Sequence, residues 1–326
     1  MNKVKKIAIV IIATVTLTSV AILADTANDS KSLGSGQAKI KPAEVTHFTM
    51  VFPGEDMSVK PEDFIATEVG ETKEIIIAWG HPYEHVLFDC PENLQVHVRK
   101  PDGTTLELTP TETTIQGHKA YKVSYTVDQK GDSLIYVRLV APEHGLIDYT
   151  KTFIHCGLEQ WKGWDADVGQ EVEVIPYTRP YGMEEGFVFS GKALYNGQEL
   201  SNATVEVEKY HQKERAEEIV SEAEEKYPYD PPMMYTRVTK TNSDGDFSYT
   251  LDEPGIWYVG ATKEVEVGYP RRGVFQLPIL EEFPTSSESG SSTTGQLAGV
   301  SSTLVYSAIG VAIIALIIAI VAVRKK

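Results

Sequence analysis

Short runs of alternating apolar and polar residues fill the chain from about residue 44 to residue 163. Val, Ile, Tyr and Thr are frequent in these runs, and a period of two residues is typical of β-strands with one buried face. The clearest runs are 73–79, 94–100, 121–127, 133–140 and 149–156. No segment of helix length separates them, so we expect antiparallel strands that close into a β-sandwich.

A second set of such runs begins near Trp164. The runs are 171–177, 187–195, 203–210, 236–242, 246–252 and 256–263. Asn196-Gly197 between two strands is typical of a tight hairpin turn. Residues 211–232 interrupt the pattern with mixed charges and predict a helical insertion. The pattern therefore predicts an all-β fold of two antiparallel, Greek-key-like β-sandwich domains, at 44–163 and 164–270.

The two ends of the chain predict how it is placed in the cell. Residues 1–27 contain three lysines and then an apolar run, which indicates a signal peptide or an uncleaved signal anchor, followed by a linker at 28–43. Residues 304–323 are uncharged and long enough, at ~30 Å, to form one transmembrane helix. Residues 271–303 are assigned to a Ser/Thr/Gly stalk, and the basic tail 324–326 predicts a cytoplasmic end. We expect a single-pass C-terminal anchor in the cell membrane, with the ectodomain outside.

The charge of the chain excludes some classes of partner. Lys and Arg number 30 and Asp and Glu number 46, for a net charge of −16. Six of the basic residues lie at the extreme ends, so the stretch between them carries 24 − 46 = −22. Such a surface attracts cations and argues against nucleic acid as a partner. The two cysteines, Cys90 and Cys156, are open to a disulfide or to a role as buried thiols, and Cys90 also to metal ligation.

Several histidines lie where predicted strands end. His47 begins the first strand, His155 closes the last strand of the first unit, and His81 and His85 enclose a short loop that contains Glu84. Strand ends gather at the rim of a sandwich, and neutral imidazole is the usual ligand for nickel, cobalt, copper and zinc. The sequence therefore predicts a metal site that comprises His47, His81, Glu84, His85 and His155.

The other four histidines are not included in the predicted metal site, and the sequence lacks the common catalytic motifs. His97, His118, His144 and His211 lie in turns or on a solvated strand face, and we assign them to the surface. The sequence has no nucleophile elbow, phosphate-binding loop or H-E-x-x-H motif. We expect no enzymatic activity.

Two resemblances to known families add to these expectations. Residues 191–207, 239–251 and 254–259 resemble the transthyretin-like or carboxypeptidase-regulatory Greek-key domain. Four motifs resemble an exported family of domains of unknown function whose members are described as accessory components of nickel or cobalt uptake. The motifs are H-F-T-M-V-F-P at 47–53, W-G-H-P-Y-E-H at 79–85, K-T-F-I-H at 151–155 and G-W-D with the following G-Q-E-V-E-V-I-P-Y-T-R-P-Y at 163–181.

The family resemblance, over roughly residues 45–263, implies a role in metal handling. It implies an extracytoplasmic protein that binds nickel or cobalt and assists the membrane subunits of a metal importer. The architecture alone equally suits a cell-surface structural or adhesion module without metal. The sequence leaves the metal, the partner and the oligomeric state open.

Overall fold

The computed structural model describes residues 47–282, which form three β-sheets and one α-helix. The all-β prediction is confirmed for this part of the chain. The predicted signal and linker, the membrane-spanning segment and the tail lie outside the described residues, as does most of the stalk. Among residues 47–282, no helix is both long and apolar enough to cross a bilayer.

A five-stranded sheet contains the start of the described chain. Its order is β1-β3-β8-β7, with β4 also paired to β3. Every ladder in it is antiparallel. Its strands are β1 (Phe48–Pro53), β3 (Thr72–His81), β4 (Val86–Phe88), β7 (Thr111–Ile115) and β8 (His118–Thr126).

A nine-stranded sheet crosses the whole described region. Its order is β15-β14-β17-β18-β10-β9-β5-β6, with β2 also paired to β10. Its strands are β2 (Ile65–Ala66), β5 (Asn93–Arg99), β6 (Thr105–Leu108), β9 (Gly131–Ala141), β10 (Leu146–Cys156), β14 (Thr204–Lys209), β15 (Thr236–Lys240), β17 (Gly255–Lys263) and β18 (Arg271–Ile279). The ladders from β10 to β18 and from β10 to β2 are parallel.

A four-stranded sheet and a helix complete the fold. The sheet is ordered β11-β12-β13, with β16 also paired to β12. Its strands are β11 (Val172–Pro176), β12 (Phe187–Tyr195), β13 (Gln198–Glu199) and β16 (Asp246–Leu251). The helix α1 (Lys213–Lys226) lies inside the predicted insertion and buries two alanines, Ala216 and Ala223. Short 3₁₀ helices are Pro61–Phe64, Pro142–His144 and Pro231–Met234.

The strands β10 and β18 lie between the other two sheets. On one face, Asp148 of β10 accepts a hydrogen bond from the Thr49 amide of β1 at 2.8 Å. On the opposite face, Lys151 of β10 contacts Glu173 of β11. All eleven residues of β10 are therefore buried, whereas the polar residues in its sequence predict partial exposure.

Three of the expectations need correction. The two units predicted to meet at residue 163 share the nine-stranded sheet and belong to one compact unit. Pairing is not wholly antiparallel, because the long connection from β10 to β18 lets the chain return in the same direction. The predicted stalk was wrong for 271–279, since this apolar stretch forms the buried strand β18.

Both cysteines are buried as free thiols in one hydrophobic core. Cys90 follows β4, and Cys156 ends β10. Burial raises the pKa of the Cys90 thiol to about 12. The thiolate, which is the form that binds metal, is therefore scarce at neutral pH. Of the alternatives for the cysteines, the structure matches the buried thiols.

Candidate metal centre

His47 and His81 lie side by side at the rim of the five-stranded sheet. The strands β1 and β3 pair antiparallel, with Phe48 opposite Gly80, so the residue before β1 lies next to the last residue of β3. The ring centroids of the two histidines are 4.3 Å apart, and the rings meet edge to face. The proximity of these two predicted site residues follows directly from the register of the sheet.

A third histidine, His144, joins them from the connection between β9 and β10. Its ring centroid is also 4.3 Å from that of His47. His144 ends a short 3₁₀ helix, and Gly145 after it has a left-handed backbone with φ of 62°. The sequence predicts a surface position for His144, and the structure places its ring against that of His47 instead. We refer to His47, His81 and His144 as the three-histidine cluster.

Two aromatic side chains form a wall behind this cluster. The Trp79 ring centroid lies 5.6 Å from those of His47 and His144. The Phe88 ring centroid is 4.8 Å from that of His47 and 5.3 Å from that of His81. Trp79 is fully buried, and among the described residues no acceptor lies within hydrogen-bond distance of its indole nitrogen. The cluster therefore has an apolar, water-poor side that contains one unused donor.

The His47 imidazole is held in its neutral form. Its pKa is lowered from 6.5 to about 3, first by burial and then by the proximity of His81, His144 and Arg272. Three imidazoles packed this closely repel one another when protonated. A neutral ring keeps a lone pair, which is the state that coordinates a metal ion.

Glu84 contacts His81 directly. One carboxylate oxygen lies 2.8 Å from Nδ1 of His81. When a carboxylate accepts a hydrogen bond from Nδ1–H, the ring is fixed in the tautomer whose Nε2 carries the lone pair. The carboxylate in this position orients His81, as carboxylates do for many metal-binding histidines.

The loop that connects His81 to β4 is anchored from two directions. Gly80 leaves room for the hairpin, because a Cβ atom there would lie 2.0 Å from the Val86 carbonyl oxygen. The buried Glu208 carboxylate accepts a hydrogen bond from the Tyr83 amide at 3.1 Å and one from the Thr236 hydroxyl at 2.7 Å. The position of His81 is thus set by close packing and by a carboxylate from the nine-stranded sheet.

The backbone of His47 is fixed by a buried arginine. Arg272 of β18 donates a hydrogen bond to the His47 carbonyl oxygen. It also pairs with Asp148 at 3.0 Å and with Glu206 at 3.2 Å. Gln276, four residues further along β18, accepts a hydrogen bond from the Val51 amide at 2.8 Å. These side chains complete the hydrogen bonds on the free edge of β1 and hold His47 at the rim.

The rings are not arranged as a preformed metal site. Within residues 47–282, no group of three or more His, Cys, Asp or Glu side chains has the placement needed to hold a metal ion. The three rings are adjacent, but capture of an ion needs their nitrogen atoms to turn toward one point. Such a change would have to come from rotation about the side-chain torsions of the three histidines.

His85 lies outside the cluster. Its Nδ1 is 2.8 Å from the His211 carbonyl oxygen, and its Nε2 is 3.1 Å from the Gln116 side-chain oxygen. His85 has φ of 53°, a left-handed conformation that turns its side chain away from the direction expected for an extended strand. The loop therefore does not direct His81 and His85 to one point.

His155 lies at the opposite end of β10 from His144. The nine steps along the extended strand from Leu146 to His155 span ~30 Å, so His155 is remote from the cluster. Its Nδ1 is 2.7 Å from Asp132, and its ring stacks on Tyr181 with centroids 4.5 Å apart. His155 is thus engaged in a buried hydrogen-bonded pair.

A cleft of about 460 Å³ lies beside His144. Three carboxylates line it: Asp89, Glu92 and Glu143. Lys119 pairs with Glu92 at 3.1 Å, and His118 lies 3.7 Å from Asp89, so part of this charge is compensated. The cleft gives the cluster an acidic approach from solvent.

Comparison with known proteins identifies a family but no function. A family model described as a domain of unknown function, DUF4198, matches residues 52–264. None of the curated proteins matches the chain.

Solved structures show only weak likeness to this fold. They include a 1.5-MDa bacterial ice-binding adhesin (10% identity, TM-score 0.23) and α-2-macroglobulin from Escherichia coli (13%, 0.22). A third is a DUF4785 family protein from Legionella pneumophila (7%, 0.22). The matches cover 72%, 71% and 61% of this chain but only 64%, 15% and 49% of those chains, less than two thirds of each. TM-scores this low establish neither a shared fold nor a shared function.

Proposed function

The chain belongs to the DUF4198 family of domains of unknown function, and from this premise we propose that it is an extracytoplasmic protein that binds a transition-metal ion at the three-histidine cluster. The observation that carries the proposal is the position of the His47 ring, 4.3 Å from both His81 and His144. Imidazole nitrogen favours nickel, cobalt, copper and zinc over calcium or magnesium. The ion is cargo in this proposal, and no catalytic step is assigned to it.

Each residue at the cluster has a separate proposed role in binding the ion. Glu84 contacts Nδ1 of His81, and in this arrangement Nε2 would be the nitrogen that binds the ion. His47 and His144 supply one nitrogen each, after small ring rotations. The indole N–H of Trp79 is a donor for an oxygen ligand that arrives with the ion. Three protein ligands with an open position suit a site that releases its metal.

Charge supports the delivery of cations to this rim. The stretch between the basic ends carries −22, and the cleft beside His144 contains Asp89, Glu92 and Glu143. A cleft whose charges are mainly negative, as this one is despite Lys119, raises the local concentration of cations. The acidic surface would concentrate divalent cations, and the imidazoles would select among them.

The physiological role proposed for the protein is assistance to a metal importer. The resemblance to nickel- and cobalt-uptake accessory proteins supports these two metals and membrane subunits as partners. The predicted apolar segment at 304–323 would tether the protein next to such a partner. The resemblance of residues 191–259 to a transthyretin-like domain concerns the scaffold and adds no activity.

Thermal unfolding with added metal tests the proposal. The full-length protein, purified in detergent, is melted with Ni(II), Co(II), Zn(II) and, as a hard-ion control, Mg(II). A ligand that binds only the folded state stabilises it by about 2.7 kcal/mol when the ligand concentration is 100 times the dissociation constant. We expect a rise of the midpoint with the first three ions and none with Mg(II).

Variants distinguish the cluster from other histidines. His81→Ala and His144→Ala should each abolish most of the shift. His85→Ala should keep it, because that ring is bonded to His211 and Gln116. A midpoint unmoved by any ion, or a shift lost in His85→Ala and kept in His144→Ala, would contradict the proposal. The first of these outcomes would favour the structural or adhesion alternative.

A further inference from the structure

A lysine and a glutamate are buried together between the nine-stranded and four-stranded sheets. Lys151 lies in β10 and Glu173 in β11, and the Lys151 amine contacts one oxygen of the Glu173 carboxyl group. Each side chain is only 1% exposed. The pair lies far from the rim of the three-histidine cluster, and the proposed metal function does not use it.

Burial shifts both groups toward their neutral forms. The Lys151 amine lies 5.6 Å from the centroid of the Phe275 ring and 3.3 Å from the Ala166 carbonyl oxygen. Burial lowers the pKa of Lys151 and raises the pKa of Glu173. A neutral amine is a nucleophile, and a protonated carboxyl group can lose its hydroxyl as water.

The Glu173 carboxyl group receives three backbone N–H donors from one loop. The Val168 amide lies 2.9 Å from Oε1, the Gly169 amide 3.1 Å from Oε2 and the Gln170 amide 3.2 Å from Oε2. Fixed amide donors around a carboxyl group stabilise the negative oxygen of a tetrahedral intermediate. The loop thus has the parts of an oxyanion hole.

A second acid lies against the same carboxyl group. The Asp167 and Glu173 carboxyl groups interact, which lowers the pKa of Asp167 and contributes to the raised pKa of Glu173, so a proton shared between them favours Glu173. Asp167 is exposed to solvent and also accepts from the Gly169 amide at 2.7 Å. It is placed to move a proton between the reacting atoms and to reach water.

We propose that Lys151 and Glu173 condense to form an intramolecular isopeptide bond. The amine lone pair attacks the Glu173 carboxyl carbon, a C–N bond forms, and the loop amides hold the oxyanion. Asp167 takes a proton from the amine nitrogen and gives it to the departing hydroxyl group. The C–O bond breaks and one water leaves, so the reaction needs no oxidant, reductant or cofactor. Exclusion of water from the buried site disfavours the reverse hydrolysis.

Peptide mapping of the full-length protein tests the bond. The chain is denatured and digested with trypsin, which does not cut at an acylated lysine or at Arg179, because Pro180 follows it. We expect peptide 139–162 joined to peptide 163–192, lighter by one water than the two separate peptides together. Recovery of 139–151 and 163–192 unlinked, without the joined product, would overturn the inference and leave the pair as a buried salt bridge.

Two variants test the assigned roles. Asp167→Asn changes an exposed side chain, so the fold should survive, and circular dichroism checks this. We expect it to lose most of the linked peptide. Lys151→Met removes the nucleophile and should lose all of it. A linked product at the wild-type yield in Asp167→Asn would refute the proton-transfer role, and one that persists in Lys151→Met would refute the bond itself.

Discussion

The neutral state of His47 depends on its burial and on the two imidazoles beside it. Its pKa of about 3 makes the ring a free ligand at any pH at which the protein is expected to work. The same shift costs stability in acid, because a buried ring cannot accept the proton that an exposed ring would bind. The burial of His47 therefore both keeps its ring neutral for metal binding and makes the folded protein less stable in acid.

His47 should make the protein less stable as the pH falls. Between pH 6.5 and pH 3 the unfolded chain protonates this histidine and the folded chain does not. The unfolded state then binds more protons, and the free energy of unfolding decreases on acidification. We expect about 1–2 kcal/mol from this group between pH 7 and pH 4, because its partial exposure reduces the full effect. Urea unfolding at a series of pH values measures it.

The His47→Gln variant gives the matching comparison. It should show a shallower loss of stability over the same pH range, whereas His97→Gln should keep the wild-type slope. The His97 ring lies on β5 and stacks on Tyr136, not on a ring of the three-histidine cluster. Equal slopes for His47→Gln and the wild type would show that His47 has an ordinary pKa.

At the residue scale, sequence reasoning located part of the site. His47 and His81 were predicted to meet because strand ends share a rim, and the antiparallel register places them together. His155 lies at a strand end too, but at the far end of β10, and a sequence does not show which end of a sandwich a strand reaches. His144 was missed because its place depends on the β9–β10 connection returning to the same rim as β1.

At the scale of single elements, β10 shows why polar residues can mislead. Its sequence LIDYTKTFIHC places polar residues on both faces, which predicts partial exposure, yet the whole strand is buried. The polar side chains on it are paired instead of solvated: Asp148 with Arg272, Lys151 with Glu173 and His155 with Asp132. A buried charge needs such a partner. In sequence, Arg272 is 124 residues from Asp148, whereas Glu173 and Asp132 are 22 and 23 residues from their partners. A local sequence pattern therefore cannot reveal all three pairs.

The β3–β4 hairpin should depend on the missing side chain at Gly80. In Gly80→Ala the new Cβ atom would lie 2.0 Å from the Val86 carbonyl oxygen and 3.1 Å from the Leu87 Cα atom. The strands must separate to relieve this, at a cost of about 1–3 kcal/mol of unfolding free energy. The displacement also moves His81, so metal affinity should fall as well. Urea unfolding and the metal-dependent melting midpoint measure the two effects.

Gly54→Ala is the matched control for this hairpin. A Cβ atom there would make ordinary contacts, 3.5 Å from Val59 and 3.6 Å from the Asp56 carbonyl oxygen. We expect a change within about 0.5 kcal/mol and no effect on metal binding. If Gly80→Ala were as mild as Gly54→Ala, the close approach of β3 and β4 would not be what positions His81.

At the scale of the whole molecule, long-range pairing decides the architecture. Runs of β-forming residues predicted most strands, and the charged insertion predicted α1. The parallel ladder from β10 to β18, however, joins residues more than 100 positions apart. This ladder turns two predicted units into one body. It also brings Arg272 to the backbone of His47, so the second half of the chain supports the metal-binding rim of the first.

Anomalous diffraction from crystals soaked in Ni(II) tests the central claim most directly. We expect a peak at the nickel edge between the rings of His47, His81 and His144, within ~2.1 Å of a nitrogen from at least two of them. The peak should vanish in crystals of His144→Ala. Nickel bound only elsewhere, such as at His85 or among the carboxylates of the neighbouring cleft, or no peak at all, would contradict the account.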